Sequence, residues 1–133
     1  MRIYCNSVGG FIKDCDNHVI ANMVIERMEQ LRIGGEGPGQ FRAWSNSLPF
    51  VAEVLKDKEF DPDIGVGIEY QLIGTRQRVD FLVYGLGNKA QENLVLIELK
   101  QWSTVEPSNL EDYVFTDGGD GPDDYWHPSY QAL

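Results

Sequence analysis

The stretch Leu94–Val95–Leu96–Ile97–Glu98–Leu99–Lys100 constrains the fold of this chain more than any other. Its run of branched apolar residues has the pattern of a central strand buried on both faces. It nevertheless ends in a carboxylate and an ammonium, and burying either is costly unless the two are paired. Residues two apart on a strand point to the same face, so Glu98 and Lys100 are predicted neighbours while Leu99 turns to the core.

The chain before this strand changes period once. Ile20, Met23, Val24, Met28 and Leu31 recur at helical spacing, which predicts a helix from about Asn17 that ends at Gly34–Gly35. Leu48, Val51, Ala52 and Leu55 predict a second helix to Lys56, capped by Ser45 or Asn46, with Pro49 in its first turn. Residues 64–72 and 78–84 then alternate as strands, and 94–100 is a third. If the hairpin closes with Tyr84 opposite Leu94, Asp80 faces Glu98. Pro128 predicts another helix over 129–133.

Two carboxylates and a lysine would then converge on one point of the sheet. Side-by-side carboxylates repel, and a divalent cation with a preference for oxygen ligands, Mg²⁺ or Mn²⁺, resolves the repulsion. A lysine beside them can hold a water and stabilise charge developing on a phosphate. The plain alternative is a strand-end ion pair of Lys100 with Asp80 or Glu98 that does no chemistry.

Asp80 followed by Glu98–Leu99–Lys100 at the end of an apolar strand resembles the PD-(D/E)XK nuclease superfamily. Arg42–Leu48, Ile68–Tyr70, Arg78–Phe81, Glu98–Trp102 and His127–Gln131 together resemble the N-terminal nuclease-like domain of bacterial proteins that continue into a P-loop, helicase-like ATPase domain. The resemblance runs from about Ile3 to the end. It implies an α/β (α+β) fold with a restriction-endonuclease-like αβββαβ core: a central mixed sheet with a β-meander, flanked by helices. By position it makes Asp80 and Glu98 metal ligands and Lys100 the catalytic lysine. Gln131 matches a glutamine on the helix after the motif strand. Glu69 would be a further acid near the metal, and Arg78 a phosphate contact beside Lys100. A glutamate from the first core helix would come from Glu26, Glu29 or Glu53. Val79 stands where proline is common. The core is expected to break off in its second helix, without a fourth strand, and no phosphate-loop motif for the ATPase domain occurs. An unpaired edge on the motif strand invites another chain, so a homodimer or the ATPase domain is an expected partner, beside DNA or RNA.

The 133 residues fit one domain, 1–133. Hydrophobic residues at 42% and charged residues at 24% exclude wholesale disorder. No apolar run approaches the ~20 residues that span a bilayer, Met1–Tyr4 opens no secretory leader, and two cysteines are too few for a disulfide scaffold. A cytoplasmic protein is expected. The net charge of −10 counts against phosphate-driven binding of nucleic acid. The excess sits late, however: residues 101–133 hold seven acids and no base. The acidic segment at about 105–126 predicts a solvated loop, because Asp117, Asp120, Asp123 and Asp124 lack a calcium-loop spacing. Cys5, Cys15, His18 and His127 match no compact zinc module. Gly34–Gly39 has no lysine and follows no strand, unlike a phosphate cradle. Trp44, Trp102 and Trp126 are read as core or partner contacts before base-stacking platforms. The readings weighed against a nuclease are a catalytically inactive nuclease-like module for protein interaction or oligomerisation, and a nucleic-acid mimic suggested by the acidic tail.

Overall fold

A computed structural model describes residues 3–33, 38–58, 60–74, 77–87, 90–100, 102, 104–109, 111, 113–116 and 125–126, without the side chains of 38, 40, 125 and 126. The chain divides into two compact units, Met1–Ile97 and Glu98–Leu133. The first combines three helices with an antiparallel sheet, so the chain is of mixed α and β structure.

The first unit opens with β1 (Tyr4–Ser7) and α1 (Val8–Asp16). Ser7 stands in extended backbone and its Oγ accepts from the Gly10 N–H at 3.2 Å, capping α1. Val8, Phe11 and Cys15 form the buried stripe of α1. His18, at φ 57°, ends the helix by donating its N–H to the Cys15 carbonyl. The helix α2 (Ile20–Gln30) follows at once and buries Ile20, Ala21, Val24 and Met28. It ends with Arg32 at φ 53°, ahead of Gly34–Gly35, so no glycine terminates it.

Helix α3 (Pro38–Leu55) corrects the predicted second helix. It begins seven residues before Ser45, which puts Pro49 in its interior instead of its first turn. Burial explains the extension. Trp44 lies on the same stripe as Leu48, Ala52 and Leu55, and all four are buried. That shared apolar face outweighs the hydrogen bond that Pro49 cannot donate.

Strands β2 (Gly65–Gln71), β3 (Arg78–Leu86) and β4 (Glu92–Ile97) form the predicted meander, and β1 adds to its far side in the order β1-β2-β3-β4. Every pairing is antiparallel, so this sheet is not mixed. Tyr84 pairs with Leu94, as the sequence predicts. Val66, Ile68, Val79 and Phe81 are buried with the helices, and the Phe11 and Phe81 ring centroids lie 5.1 Å apart.

The third predicted strand needs correction. It stops at Ile97 instead of reaching Lys100, and it is an edge strand exposed on both faces instead of a buried central one. The acidic segment is also not simply a loop. In the second unit β5 (Val105–Pro107), β6 (Val114–Thr116) and β7 (Tyr125–Trp126) form a small antiparallel sheet. Val105 and Val114–Phe115 supply β-formers that the surrounding acids mask in composition. The predicted helix over 129–133 lies outside the described residues.

Gly65 is paired with Tyr84, and a Cβ there would overlap the Tyr84 ring. Gly65→Ala is expected to destabilise the protein by about 1–3 kcal/mol through this overpacking. Gly67→Ala, which meets only the movable tip of Leu82 at 3.2 Å, should cost less. Urea denaturation of the two variants side by side checks the order.

Candidate functional site

The sheet brings three of the predicted residues to one end of the β2–β3 ladder. Ile68 pairs with Phe81 and Tyr70 with Val79, so Glu69 and Asp80 occupy the rung between them. Arg78 opens β3, paired with Gln71. Glu69 is the one buried charged residue among those described, with 5% of its surface exposed. Its backbone is at φ 50°, a conformation rarely adopted by a non-glycine residue within a strand.

This single left-handed residue breaks the strand's alternation. Ile68 and Glu69 are buried in succession, and Tyr70 and Leu72 then line the opposite face with Leu82. The inversion delivers the Glu69 carboxylate to Trp44 of α3. Trp44 Nε1 donates to Glu69 Oε1 at 3.2 Å, and Arg78 approaches Oε2 at 3.4 Å. Both carboxylate oxygens therefore have protein donors. Asp80 is half-buried and has an interaction of its own.

Glu98 and Lys100 belong to the second unit. Lys100 Nζ donates to Glu98 Oε1 at 2.9 Å, and each side chain is 19% exposed. The two are neighbours, as residues two apart on an extended chain should be. The β3–β4 ladder ends at the Phe81–Ile97 pair, and Asp80 and Glu98 are the next residues in sequence on either strand. Among the described residues, no group of three or more His, Cys, Asp and Glu side chains is arranged to hold a metal ion. Two carboxylates do fit the chemistry of Mg²⁺, which typically takes one or two from protein and completes its shell with water and phosphate oxygens.

The helix glutamates lie elsewhere. Glu26 and Glu29 are exposed on α2, and exposed Glu53 on α3 pairs with Lys56 at 2.6 Å. Gln131 and His127 lie outside the described residues. Cys5 is exposed and Cys15 buried, and burial pushes the Cys15 thiol up to about 12.

One polar cluster carries no readable sequence signal. Tyr4 Oη donates to Asp14 Oδ2 at 2.7 Å, and Asn6 Nδ2 lies 3.1 Å from Tyr4 Oη and 3.2 Å from Asp14 Oδ2. Burial first, and then Asp14, hold the Tyr4 phenol well above its usual range. The cluster ties β1 to α1 beside a cleft of about 290 Å³ that Glu26 and Arg27 also line. A Tyr-x-Asn on a four-residue strand is too short a pattern to announce it.

No family model, curated protein or solved structure matches the chain. Among the described residues, no helix is long and apolar enough to cross a membrane.

Proposed function

We propose that this chain is a metal-dependent nuclease domain of the PD-(D/E)XK type, in which Asp80 and Glu98 hold Mg²⁺ or Mn²⁺ and Lys100 serves the attacking water. One observation carries the reading. The β3–β4 register leaves Asp80 and Glu98 flanking the last paired rung, with Lys100 bonded to Glu98. The order α3-β2-β3-β4 accords with the first four elements of a restriction-endonuclease-like core. A cytoplasmic setting and a DNA or RNA substrate, in a processing or defence system, belong to the same proposal.

The bound cation would supply Lewis-acid neutralisation of the phosphate. Glu98 holds the Lys100 ammonium in place, so that it can orient a water and steady the negative charge that grows as the new P–O bond forms and the old one breaks. The leaving oxygen takes a proton from solvent. Arg78 lies two residues from Asp80 and would face the phosphate chain. Glu69, held by Trp44 and Arg78, acts as a positioning residue for Arg78.

Calorimetry with Mg²⁺ and Mn²⁺ tests the metal site. Binding should disappear in Asp80→Ala and in Glu98→Ala. Lys100→Ala should retain binding and lose about 10²–10³-fold in cleavage of nucleic acid. A folded protein without metal binding, or cleavage that persists in all three variants, would overturn the proposal. The second reading is an inactive nuclease-like fold used for protein interaction or oligomerisation. The open apolar edge at β4 favours it, and it expects no response to either metal.

A further inference from the structure

The strand β4 has the composition of a buried strand and the surroundings of an exposed one. Leu94 is 61% exposed, Val95 55% and Leu96 42%, so both faces of the strand meet solvent. It forms one outer edge of the four-stranded sheet. The devices that normally block an edge are charged side chains, proline and bulges. None occurs between Asn93 and Ile97, and the ladder with β3 runs without interruption from Leu86–Glu92 to Phe81–Ile97. The opposite edge is unlike it: β1 has four residues, Tyr-Cys-Asn-Ser, and offers no apolar run.

We infer that β4 is the seam of a homodimer, pairing antiparallel with β4 of a second copy about a two-fold axis through Val95. Charge argues for a second copy as the occupant. The chain carries −10, so two copies repel at most approaches, whereas residues 93–97 bear no charge. The register follows from self-complementarity. A two-fold axis perpendicular to the sheet keeps each face on its own side. With Val95 opposite its own counterpart, Leu94 faces Leu96 of the second copy and Asn93 faces Ile97, so both leucines are covered on one face and valine on the other. Centring on Leu94 instead would set Glu92 against Leu96. Centring on Leu96 would set Glu98 against Leu94. Both registers bury a carboxylate against an aliphatic side chain. The seam is short, so the dimer should dissociate on dilution.

The test uses the whole chain. Sedimentation velocity from micromolar to sub-millimolar concentration should show a mass rising from 15.1 kDa to about twice that, the value for a closed two-fold dimer. Leu94→Lys with Leu96→Lys should keep the protein at the lower mass, with an unchanged circular dichroism spectrum. Register is read by cross-linking in a Cys5→Ser background. Directly opposed residues in an antiparallel pair have Cα atoms about 4.5–5.5 Å apart, within the range a disulfide spans. Val95→Cys should therefore oxidise to a covalent dimer, and Val54→Cys, exposed on α3, should not. A monomer at every concentration would overturn the inference and leave β4 to a different protein. A dimer that survives the two lysines, or that fails to cross-link through Val95→Cys, would overturn it by placing the interface elsewhere. Metal binding is independent of either result.

Discussion

Phe81→Ala is expected to destabilise the protein by about 3–5 kcal/mol, the usual cost of truncating a buried phenylalanine. The ring is fully buried and sits in the middle of the main sheet, between Ile68 on β2 and Ile97 on β4. It meets Phe11 of α1 at 5.1 Å in a tilted arrangement, so its removal opens a cavity between the sheet and the helices instead of at a rim. Small domains have only about 5–15 kcal/mol in total, so the variant should lose a large part of its cooperative transition in urea. Leu96→Ala is the control. Leu96 is apolar and two strands from Ile68, yet 42% exposed, and its truncation should cost less than about 1 kcal/mol. Equal costs for the two variants would mean that the helices do not cover the Phe81 face of the sheet.

The contrast between Phe81 and Leu96 also shows how far the sequence could be read. Period and pairing were legible where side chains alternate. The stripe Ile20–Val24–Met28 marked α2, and the pairing of Tyr84 with Leu94 followed from the length of the hairpin. Burial was less legible. An apolar run such as Leu94–Ile97 has one composition whether its own chain covers it or another chain does, so the assumption of a central strand failed at the sheet edge. Short or polar elements left little trace. β1 has four residues, and α1 begins Val8–Gly9–Gly10, where adjacent glycines lower helix propensity by about 1 kcal/mol each relative to alanine. Gly10 is nevertheless required there, because a Cβ would overlap Asn6. The start of α3 was missed because Ser45 has the chemistry of a cap, and what extends the helix to Pro38 is the tertiary burial of Trp44. For the site, residue types and spacing singled out Glu69, Arg78, Asp80, Glu98 and Lys100. They carried no sign that Glu69 would adopt φ 50° and join α3 to the sheet, since that depends on a tryptophan 25 residues away.

Glu69 is accordingly the residue at which substitution separates structure from chemistry. Glu69→Ala removes the acceptor for a buried indole N–H and the partner of Arg78 together, while keeping a Cβ in a left-handed backbone. Breaking a buried ion pair from one side costs about 3–5 kcal/mol, and a loss of that order is expected in chemical denaturation. Glu69→Gln keeps an acceptor for Trp44 and gives up only the charge beside Arg78, so about 1–2 kcal/mol should be lost. Glu69→Gly loses the same bonds as alanine but relieves the left-handed strain, which is worth roughly 1 kcal/mol. It should therefore be more stable than Glu69→Ala. If alanine, glutamine and glycine all cost under about 0.5 kcal/mol, as an ordinary surface position would, the link from α3 to β2 does not hold the fold. The glutamine variant has a second use, because it should remain folded. Unchanged Mg²⁺ binding in Glu69→Gln would leave the carboxylate with a positioning role toward Arg78. Loss of binding in that folded variant would instead make Glu69 a third ligand beside Asp80 and Glu98, and Trp44 would then be the residue that orients it.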